Sequence, residues 1–492
     1  MHGQGVYMNT KVREIIDSFE RINEFPRCSG DETAIAAWLS DWAAQNGYSH
    51  RSDEAGNLLI DVPASPGYEA APCVIFQAHM DMVCEKTPDS KHDFSKDPIR
   101  MVTRGEWLTA EKTSIGADNG AAIALGMVLV TDPVVKHPPM ELLFTVDEES
   151  GLIGAKKLPD NFIRGRVLLN VDSEDEGVFT VGCAGGIDTL MTPEFELAAV
   201  PEGYVLVDIS TGGMRGGHSG IDIGKHRANA NKVLARLLAT AGRCCEIRLM
   251  ALRGGTKHNA IPREAGATIA LPGDALTAVE KQVSELASEI AAEYKATEKN
   301  LTVKFERVTI QAEEQALTGD DTGKVIAALL AMPNGVLETV PGEIGRVETS
   351  CNTAVLGFEQ NQVSILVSQR SSVMSRLRAL NAQVEAVAAM LGADVKTTNQ
   401  YPAWPVAENA SLLNRCRRVY KACFDKEPVV EVIHAGLECA VIGSKYPGME
   451  MISFGPTMKN PHSPDEKLNI PSMGKLWDFV VALMASFKPE DE

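Results

Sequence analysis

The chain has 492 residues, with 47 Lys and Arg against 66 Asp and Glu, which gives a formal net charge of −19. This acidic balance argues against nucleic acids and anionic membranes as partners, because both select basic surfaces. No apolar run approaches the ~20 residues needed to span a bilayer, and Met1–Thr10 lacks the basic patch and apolar stretch of a secretory signal.

Length and cysteine usage restrict the class of protein further. A chain this long exceeds what one hydrophobic core supports, so at least two domains are expected. Ten cysteines are scattered without a CxxC pair, which suits a reducing cytosol better than a disulfide framework. A cytoplasmic protein is therefore expected. Cys183, Cys351 and the adjacent Cys244 and Cys245 are predicted to be small buried hydrophobes.

The first 187 residues have the pattern of an α/β unit. Helical apolar spacing predicts helices over Thr10–Phe25, Asp31–Asn46 and Ala121–Val130. Strands are predicted at Leu58–Val62, Val74–Gln77, Glu141–Val146 and Arg166–Val171. The last two are nearly continuous apolar runs, as expected when helices cover both faces of a sheet.

The pattern changes between residues 188 and 399. The order βαββαβ, typical of a ferredoxin-like unit, is predicted from Tyr204–Ile209, Arg227–Ala241, Glu246–Leu252, Ala265–Leu271, Ala275–Tyr294 and Leu301–Val308. A second, less complete copy is predicted from Gly323–Ala331, Gly345–Ser350, Asn361–Gln369, Val373–Leu391 and Ala393–Thr397. An α+β lid made of two ferredoxin-like repeats is thus expected.

The α/β pattern returns after residue 400. The predicted elements are Ser411–Phe424, Pro428–Ile433, Leu437–Lys445 and Met449–Phe454. Candidate ligands before residue 180 and after residue 450 have to share one domain. The expected architecture is therefore a catalytic domain with a mostly buried mixed sheet flanked by helices, formed by 1–187 and 400–492, with 188–399 inserted.

Five polar residues follow predicted strands or open a predicted helix, and all have metal-ligand side chains: His79, Asp118, Glu149, Asp172 and His462. In open α/β sheets such residues converge at the carboxyl ends of the strands. Two imidazoles and three carboxylates are too many for one catalytic zinc but suit two divalent ions. Two Zn²⁺ are predicted, with Co²⁺ or Mn²⁺ as substitutes.

Asp118 is the predicted bridge, because it is short and lies in a glycine-rich turn. His79 and Asp172 would complete one site, and Glu149 and His462 the other. Asp81 lies two residues after His79 and is predicted to orient its ring. Glu148 is the predicted general base, acting on the water between the metals.

Each residue also has a simpler interpretation when taken alone. Asp118 would be a helix N-cap, His79 a structural histidine, and the Glu148–Glu149 pair solvated surface. Surface or structural roles are predicted for six other histidines: His50, His92, His137, His226, His258 and His434. The conjunction of strand ends and ligand types favours the metal site.

These motifs resemble the M20 family of dinuclear zinc peptidases over nearly the whole chain. The resemblance rests on His79–Val83, Gly116–Gly120, Thr145–Gly151 and Pro461–Pro464. The segments Phe25–Gly30 and Met214–Gly220, with the long lid, resemble the branch of bacterial aminoacyl-histidine dipeptidases. The resemblance implies the same metal and base assignments. It adds His218 as a donor to the scissile carbonyl oxygen, although a flexible glycine-rich turn is the simpler interpretation of that segment.

A dipeptidase needs a group for the substrate's terminal carboxylate, and a guanidinium forms paired hydrogen bonds to one. Arg370, at the end of a predicted strand, is the candidate, with Asn259 and backbone near Gly436 as alternatives. A solvated strand-end arginine is the competing interpretation.

The function expected is that of a cytosolic dizinc dipeptidase of broad specificity that cleaves unblocked dipeptides, including Xaa-His. An N-acyl-amino-acid amidohydrolase or a tripeptidase would use the same machinery. A catalytically dead metal-binding protein is a third alternative, although it would have no use for a spare acid at Glu148. The partners expected are small peptides, and a homodimer through the lid remains open.

Overall fold

The structure, a computed structural model, describes residues 9–309, 314–343, 345–407 and 410–489. Residues 1–8, which form most of the segment examined for a secretory signal, lie outside the described residues. Two compact units form. One contains the described residues up to Cys183 with 404–432 and 437–489, and the other contains 184–403 with Ile433–Gly436.

The elements of the first stretch are α1 (Thr10–Ile22), α2 (Thr33–Gln45), β1 (Ser49–Ser52), β2 (Leu58–Val62), β3 (Val74–His79), β4 (Met101–Arg104), β5 (Trp107–Ala110), α3 (Ala117–Thr131), β6 (Met140–Thr145), α4 (Ile153–Lys157), β7 (Val167–Asn170) and β8 (Val178–Cys183).

Those of the middle stretch are β9 (Gly185–Thr192), β10 (Leu197–Ala199), β11 (Tyr204–Gly212), β12 (Gly217–His218), α5 (Ala230–Cys244), β13 (Arg248–Gly254), β14 (Ala260–Ile261), β15 (Ala265–Pro272), α6 (Leu276–Glu293), β16 (Thr302–Val308), β17 (Gln315–Leu317), α7 (Gly319–Ala331), β18 (Gly335–Thr339), β19 (Val347–Glu359), β20 (Gln362–Ser371), α8 (Met374–Met390) and β21 (Asp394–Tyr401).

The last stretch contributes α9 (Ser411–Phe424), β22 (Val429–Ile433), α10 (Glu438–Lys445), β23 (Glu450–Ser453), β24 (Met458–Lys459), β25 (Lys467–Asn469) and α11 (Ile470–Ala485). Among the described residues, no helix is long and apolar enough to cross a membrane.

The first unit is built on a mixed eight-stranded sheet in the order β1-β2-β6-β3-β7-β23-β8-β22. Strand β3 pairs in parallel with β6 and β7, and β7 pairs in parallel with β23. Every residue of β3 and β6 is buried, as expected for strands covered on both faces. Helix α3 is buried on all sides from Ala117 to Val130, which is typical of a helix inside a core.

The second unit contains two βαββαβ repeats, and one is nested within the other. Strands β11, β13, β15 and β16 lie in the order β16-β11-β15-β13, and β9, β19, β20 and β21 lie in the order β19-β20-β9-β21. In each set the first and third strands are central, as in ferredoxin-like units. The pair β10–β17 lies where the chain enters and leaves the nested repeat.

Two details differ from the sequence-based expectations about domains. The second repeat is not less complete than the first, because β9 supplies its first strand before the nested repeat begins. The short segment Ile433–Gly436 belongs with 184–403 and not with the rest of 400–492. A segment this short has no pattern of its own, so only its contacts assign it.

The cysteines also differ from the expectation in part. Cys183 and Cys351 are buried, whereas Cys244 is exposed and Cys245 is partly exposed. Both lie where α5 ends. Cys28 and Cys84 form a disulfide across 56 residues of sequence. No sequence spacing indicates this pair, because only the folded chain brings residues 28 and 84 together.

Candidate metal centre and active site

The carboxyl ends of parallel strands bring the candidate ligands to one edge of the first unit's sheet. His79 is the last residue of β3, Glu149 follows the end of β6, and Asp172 follows the end of β7. Asp118 lies at the start of α3, and His462 lies in the loop between β24 and β25. All five predicted ligands are brought together here.

The Asp118 carboxylate stands between two groups of ligand atoms. Its Oδ1 lies 3.0 Å from His79 Nε2, and that nitrogen lies 3.3 Å from Asp172 Oδ1. Its Oδ2 lies 3.2 Å from His462 Nε2, and that nitrogen lies 2.9 Å from Glu149 Oε1. Each oxygen of Asp118 therefore faces a different pair of ligands, as a bridging carboxylate would.

The residues present fit two divalent cations. Zinc bonds of about 2.0–2.1 Å in tetrahedral geometry place neighbouring ligand atoms roughly 3.3 Å apart, close to the 2.9–3.3 Å spacings observed. Glu149 Oε1 is buried and has no hydrogen-bond partner in the described part of the chain, although His462 Nε2 is 2.9 Å away. Imidazole and carboxylate donors suit zinc, cobalt or manganese.

The carboxylates of the cluster also favour positive charge on the groups between them. Burial alone would lower the pKa of His462, but Asp118 and Glu149 raise it to about 11. Burial would also lower the pKa of His79, but Asp172 and Asp118 raise it well above its usual range. The carboxylates therefore favour protonated imidazoles when no metal is bound. Divalent cations would replace those protons, as they do when metal binds to histidine ligands.

Asp81 connects the ring of His79 to the segment that carries Glu148 and Glu149. Its Oδ1 lies 3.2 Å from His79 Nδ1, and it accepts the backbone N–H groups of Glu148 at 3.0 Å and Glu149 at 3.1 Å. The Ser29 hydroxyl donates to its Oδ2 at 2.7 Å. A proton on Nδ1 that faces Asp81 leaves Nε2 to act as the ligand atom.

Glu148 lies beside the ligands but outside the two groups that share Asp118. A carboxylate oxygen of Glu148 lies within 4.8 Å of ligand atoms of His79 and Glu149. Burial raises the pKa of Glu148 well above its usual range, and the charges of Glu149 and Asp172 raise it further. A carboxylate with a raised pKa accepts a proton more readily than an ordinary one.

A buried polar network that the sequence analysis missed lies next to this cluster. Glu438 is fully buried and accepts Gln77 Nε2 at 2.5 Å and the Thr145 hydroxyl at 2.8 Å. Asn170 Nδ2 donates to Gln77 Oε1 at 2.6 Å. Burial raises the pKa of Glu438 to about 8, so the neutral acid avoids placing another buried negative charge here. An acid within the apolar stretch 437–442 was the available signal.

Three further polar residues were missed. Asn119 donates to Asp172 Oδ1 at 2.5 Å and to the Val171 carbonyl at 2.8 Å. Burial, and then the Asp118 charge, raise the pKa of Glu174 to about 8. Glu466 is buried and bonds to the backbone around Asp118. Each lies within four residues of a predicted ligand, which was the signal in the sequence.

In the second unit, the backbone fixes the tautomer of His218. The N–H groups of Gly220 and Ile221 lie 3.2 and 3.1 Å from His218 Nδ1, which therefore accepts. The proton of a neutral ring is consequently on Nε2. Asp222 Oδ2 accepts the backbone N–H of His218 at 2.9 Å. The glycine-rich turn is therefore held by its own hydrogen bonds and presents a donor at Nε2.

Arg370 is a buried cation in the same unit, with only 6% of its surface exposed. Its Nη1 donates to the Tyr401 hydroxyl at 2.7 Å, and its Nε has no partner in the described part of the chain. Within that part, no carboxylate forms an ion pair with it. A solvated strand-end arginine, the competing interpretation, does not describe this side chain.

The other predicted binding residues lie near these two. Asn259 directly precedes β14, which pairs with the strand that carries His218, and its carbonyl accepts the Ser219 N–H at 2.8 Å. A Cβ at Gly436 would collide with the Tyr401 ring.

His434 forms a hydrogen bond with the Ser350 hydroxyl at 2.7 Å, and burial, aided by the Arg370 charge, lowers the pKa of His434 to about 3. His258 pairs with the buried Asp188 at 2.7 Å.

Comparison with known proteins identifies the family of this chain and proteins of similar sequence and structure. The family model described as peptidase family M20/M25/M40 matches residues 75–486. The cytosol non-specific dipeptidase of Escherichia coli (strain K12) is 38% identical over 468 residues, which are 95% of this chain and 96% of that protein.

Solved structures with a similar fold are found as well. Aminoacylhistidine dipeptidase from Vibrio alginolyticus is 38% identical and superposes with a TM-score of 0.83 over 100% of this chain and 99% of that one. Aminopeptidase PepT from Bacillus cereus, at 16% identity, shares the fold with a TM-score of 0.56 over 98% of this chain and 100% of that one.

The bridging geometry predicts how metal is lost. We expect Asp118→Ala to lose both divalent ions together, because removal of a shared ligand leaves two cations that repel each other. His462→Ala should weaken one ion preferentially. Metal content after dialysis, measured on each variant and on the exposed control His50→Ala, checks this. One tightly retained ion in the Asp118 variant would contradict the bridge.

Proposed function

The chain belongs to peptidase family M20/M25/M40, and we propose that it is a dinuclear zinc dipeptidase that hydrolyses unblocked dipeptides, including Xaa-His, with broad specificity. The observation that carries the proposal is the placement of Asp118, whose two oxygens face His79 and His462 respectively. The named activities of the Escherichia coli and Vibrio alginolyticus relatives support the choice of substrate class.

We assign His79, Asp118 and Asp172 to one ion, and Asp118, Glu149 and His462 to the other. Two Zn²⁺ fit the donors, and Co²⁺ or Mn²⁺ would substitute. When bound, the ions activate water and polarise the scissile carbonyl group. The relative named for the cytosol supports a cytoplasmic location.

Glu148 is the proposed general base. It takes a proton from the attacking water and returns it to the amine that leaves. Its carboxylate lies beside His79 and Glu149. Its backbone N–H donates to Asp81 at 3.0 Å, which fixes the backbone from which the side chain extends. The backbone of the base is thereby fixed, while its carboxylate is not used as a metal ligand and can accept and release a proton.

His218 and Arg370 are the proposed groups for the substrate's carbonyl and carboxylate oxygens. The Nε2–H of His218 can donate to a carbonyl oxygen as negative charge develops there. Arg370 is a buried cation without an acidic partner in the described chain. A substrate carboxylate would supply the missing charge, and Asn259 and the backbone at Gly436 offer further polar contacts.

The rival functions differ in the substrates that they cleave. An N-acyl-amino-acid amidohydrolase cleaves blocked substrates, and a tripeptidase requires a third residue. A metal-binding protein without activity would bind zinc and cleave none of them. A homodimer through the second unit is compatible with each of these functions.

A hydrolysis panel tests the proposal directly. Free dipeptides, their N-acetylated forms and the matching tripeptides are assayed with zinc content measured in parallel. Cleavage that is confined to free dipeptides, is abolished by a chelator and is restored by zinc supports the proposal. Preferential cleavage of acetylated substrates or of tripeptides would instead identify one of the rivals.

Glu148→Gln separates the base from the ligands. We expect the variant to keep both ions and to lose about 10²–10⁴-fold in kcat, because a positioned base typically contributes that much. The measurements are metal content and kcat on one free dipeptide. Loss of zinc, or full activity, would show that Glu148 and Glu149 have been assigned each other's roles.

Arg370→Lys tests recognition of the carboxylate. A point charge cannot replace the fork of a guanidinium, so we expect KM for free dipeptides to rise at least about tenfold, the equivalent of one hydrogen bond to a charged group. Dipeptide amides should lose far less. Arg378→Lys, an exposed position on α8, is the matched control. Equal penalties for both kinds of substrate would remove Arg370 from the site.

A further inference from the structure

One buried carboxylate holds the turn that presents Asp118. Glu466 is 2% exposed, and it accepts four consecutive backbone N–H groups. Its Oε2 accepts Ile115 N at 2.9 Å and Gly116 N at 3.0 Å, and its Oε1 accepts Ala117 N at 2.9 Å and Asp118 N at 3.3 Å. The carboxylate thus uses both oxygens on this one turn.

Three of these donors, on Gly116, Ala117 and Asp118, lie at the start of a helix, where backbone N–H groups have no partner within the helix, and Ile115 directly precedes them. Helix α3 begins at Ala117, and its N-cap residue is Gly116, which has no side chain to accept them. A side chain usually caps the helix that it precedes. Here the cap comes from about 350 residues further along the chain, so the cap also fixes a tertiary contact.

The opposite side of the turn is held as well. The Ile115 carbonyl accepts Asn23 Nδ2 at 3.1 Å, and the Gly116 carbonyl accepts Arg27 Nη2 at 2.6 Å. Gly116 has a φ of +66°, and a Cβ there would collide with the Arg27 guanidinium. The N–H groups and carbonyls of the turn are therefore fixed from two directions, which leaves Asp118 little freedom to move.

Glu466 also belongs to the loop that carries His462. It follows that residue by four positions, and its N–H donates to the Ser463 carbonyl at 3.0 Å. The side chain of Glu466 thus connects the turn that carries Asp118, the shared ligand, to the loop that carries His462, a ligand of one ion. We propose that Glu466 is a positioning residue for the metal pair, holding the bridging Asp118 and the loop of His462 in place. This inference rests on the proposed function.

The test is the affinity of Glu466→Gln for metal. A glutamine keeps one acceptor oxygen and turns an NH₂ group toward two backbone donors, so the turn should loosen. We expect the apparent affinity for Zn²⁺ and Co²⁺ to fall by about 10–100-fold, the usual effect of losing a residue that supports metal ligands. Excess metal should then restore much of kcat.

Asp465→Asn is the matched control, because Asp465 is the exposed neighbour of Glu466. Each metal-free protein is titrated with Zn²⁺ and with Co²⁺ by calorimetry and by competition with a chromophoric chelator, and its thermal unfolding is recorded. Wild-type affinity in Glu466→Gln overturns the inference. A lower melting temperature with unchanged metal affinity also overturns it, because Glu466 would then serve the fold alone.

Glu466→Asp carries the test if the glutamine variant does not fold. It keeps both oxygens but withdraws them by one methylene, so a smaller loss of affinity is expected, and affinity equal to the wild type overturns the inference. Wild-type protein that binds no divalent ions would instead refute the proposed dinuclear function. The two failures are therefore distinguishable.

Discussion

The first unit is organised around carboxylate ligands whose negative charges lie close together. Three carboxylates converge with two imidazoles at one sheet edge, and two of them, Asp118 and Glu149, raise the pKa of His462 to about 11 even though burial opposes that shift. Like charges this close would repel strongly in a buried setting. The arrangement is stable when positive charge lies among them, which protons supply at the histidines and divalent ions supply better.

The surroundings of the cluster are consistent with this constraint. The acids around the cluster either have a raised pKa or are held by hydrogen bonds. Burial raises the pKa of Glu438 to about 8, and Asp81 is held by three hydrogen-bond donors. Glu466 uses backbone amides. Because Asp81 and Glu466 accept backbone N–H groups of the segments that carry the ligands, those segments are held in place by more than the ligand side chains.

The second unit presents the opposite electrostatic problem. Arg370 is buried without an ion-pair partner in the described chain, although burying an unpaired charge is costly. His434 beside it stays neutral, since burial and the Arg370 charge lower its pKa to about 3. Its sheet is assembled from two repeats, one inserted within the other.

Much of this protein could be predicted from its sequence, because strands covered on both faces are continuous apolar runs and ligand residues follow their ends. Leu58–Val62 and Ser411–Phe424 were predicted with their observed bounds, and the five candidate ligands were selected by residue type and position. Strand β9 was missed, because its partners follow only after a nested repeat. The exposure of Cys244 was also missed, because a helix end can be buried or exposed depending on its neighbours.

The tertiary structure alone decided which polar groups meet. Glu466 and the amides of residues 115–118 are about 350 positions apart, and Cys28 meets Cys84 across 56 residues. The tautomer of His218 depends on two amides that converge on one nitrogen. Periodicity and residue type act locally and therefore determine elements and candidate ligands. Hydrogen bonds and charge interactions depend on distances of a few ångströms between remote segments, which only the folded chain defines.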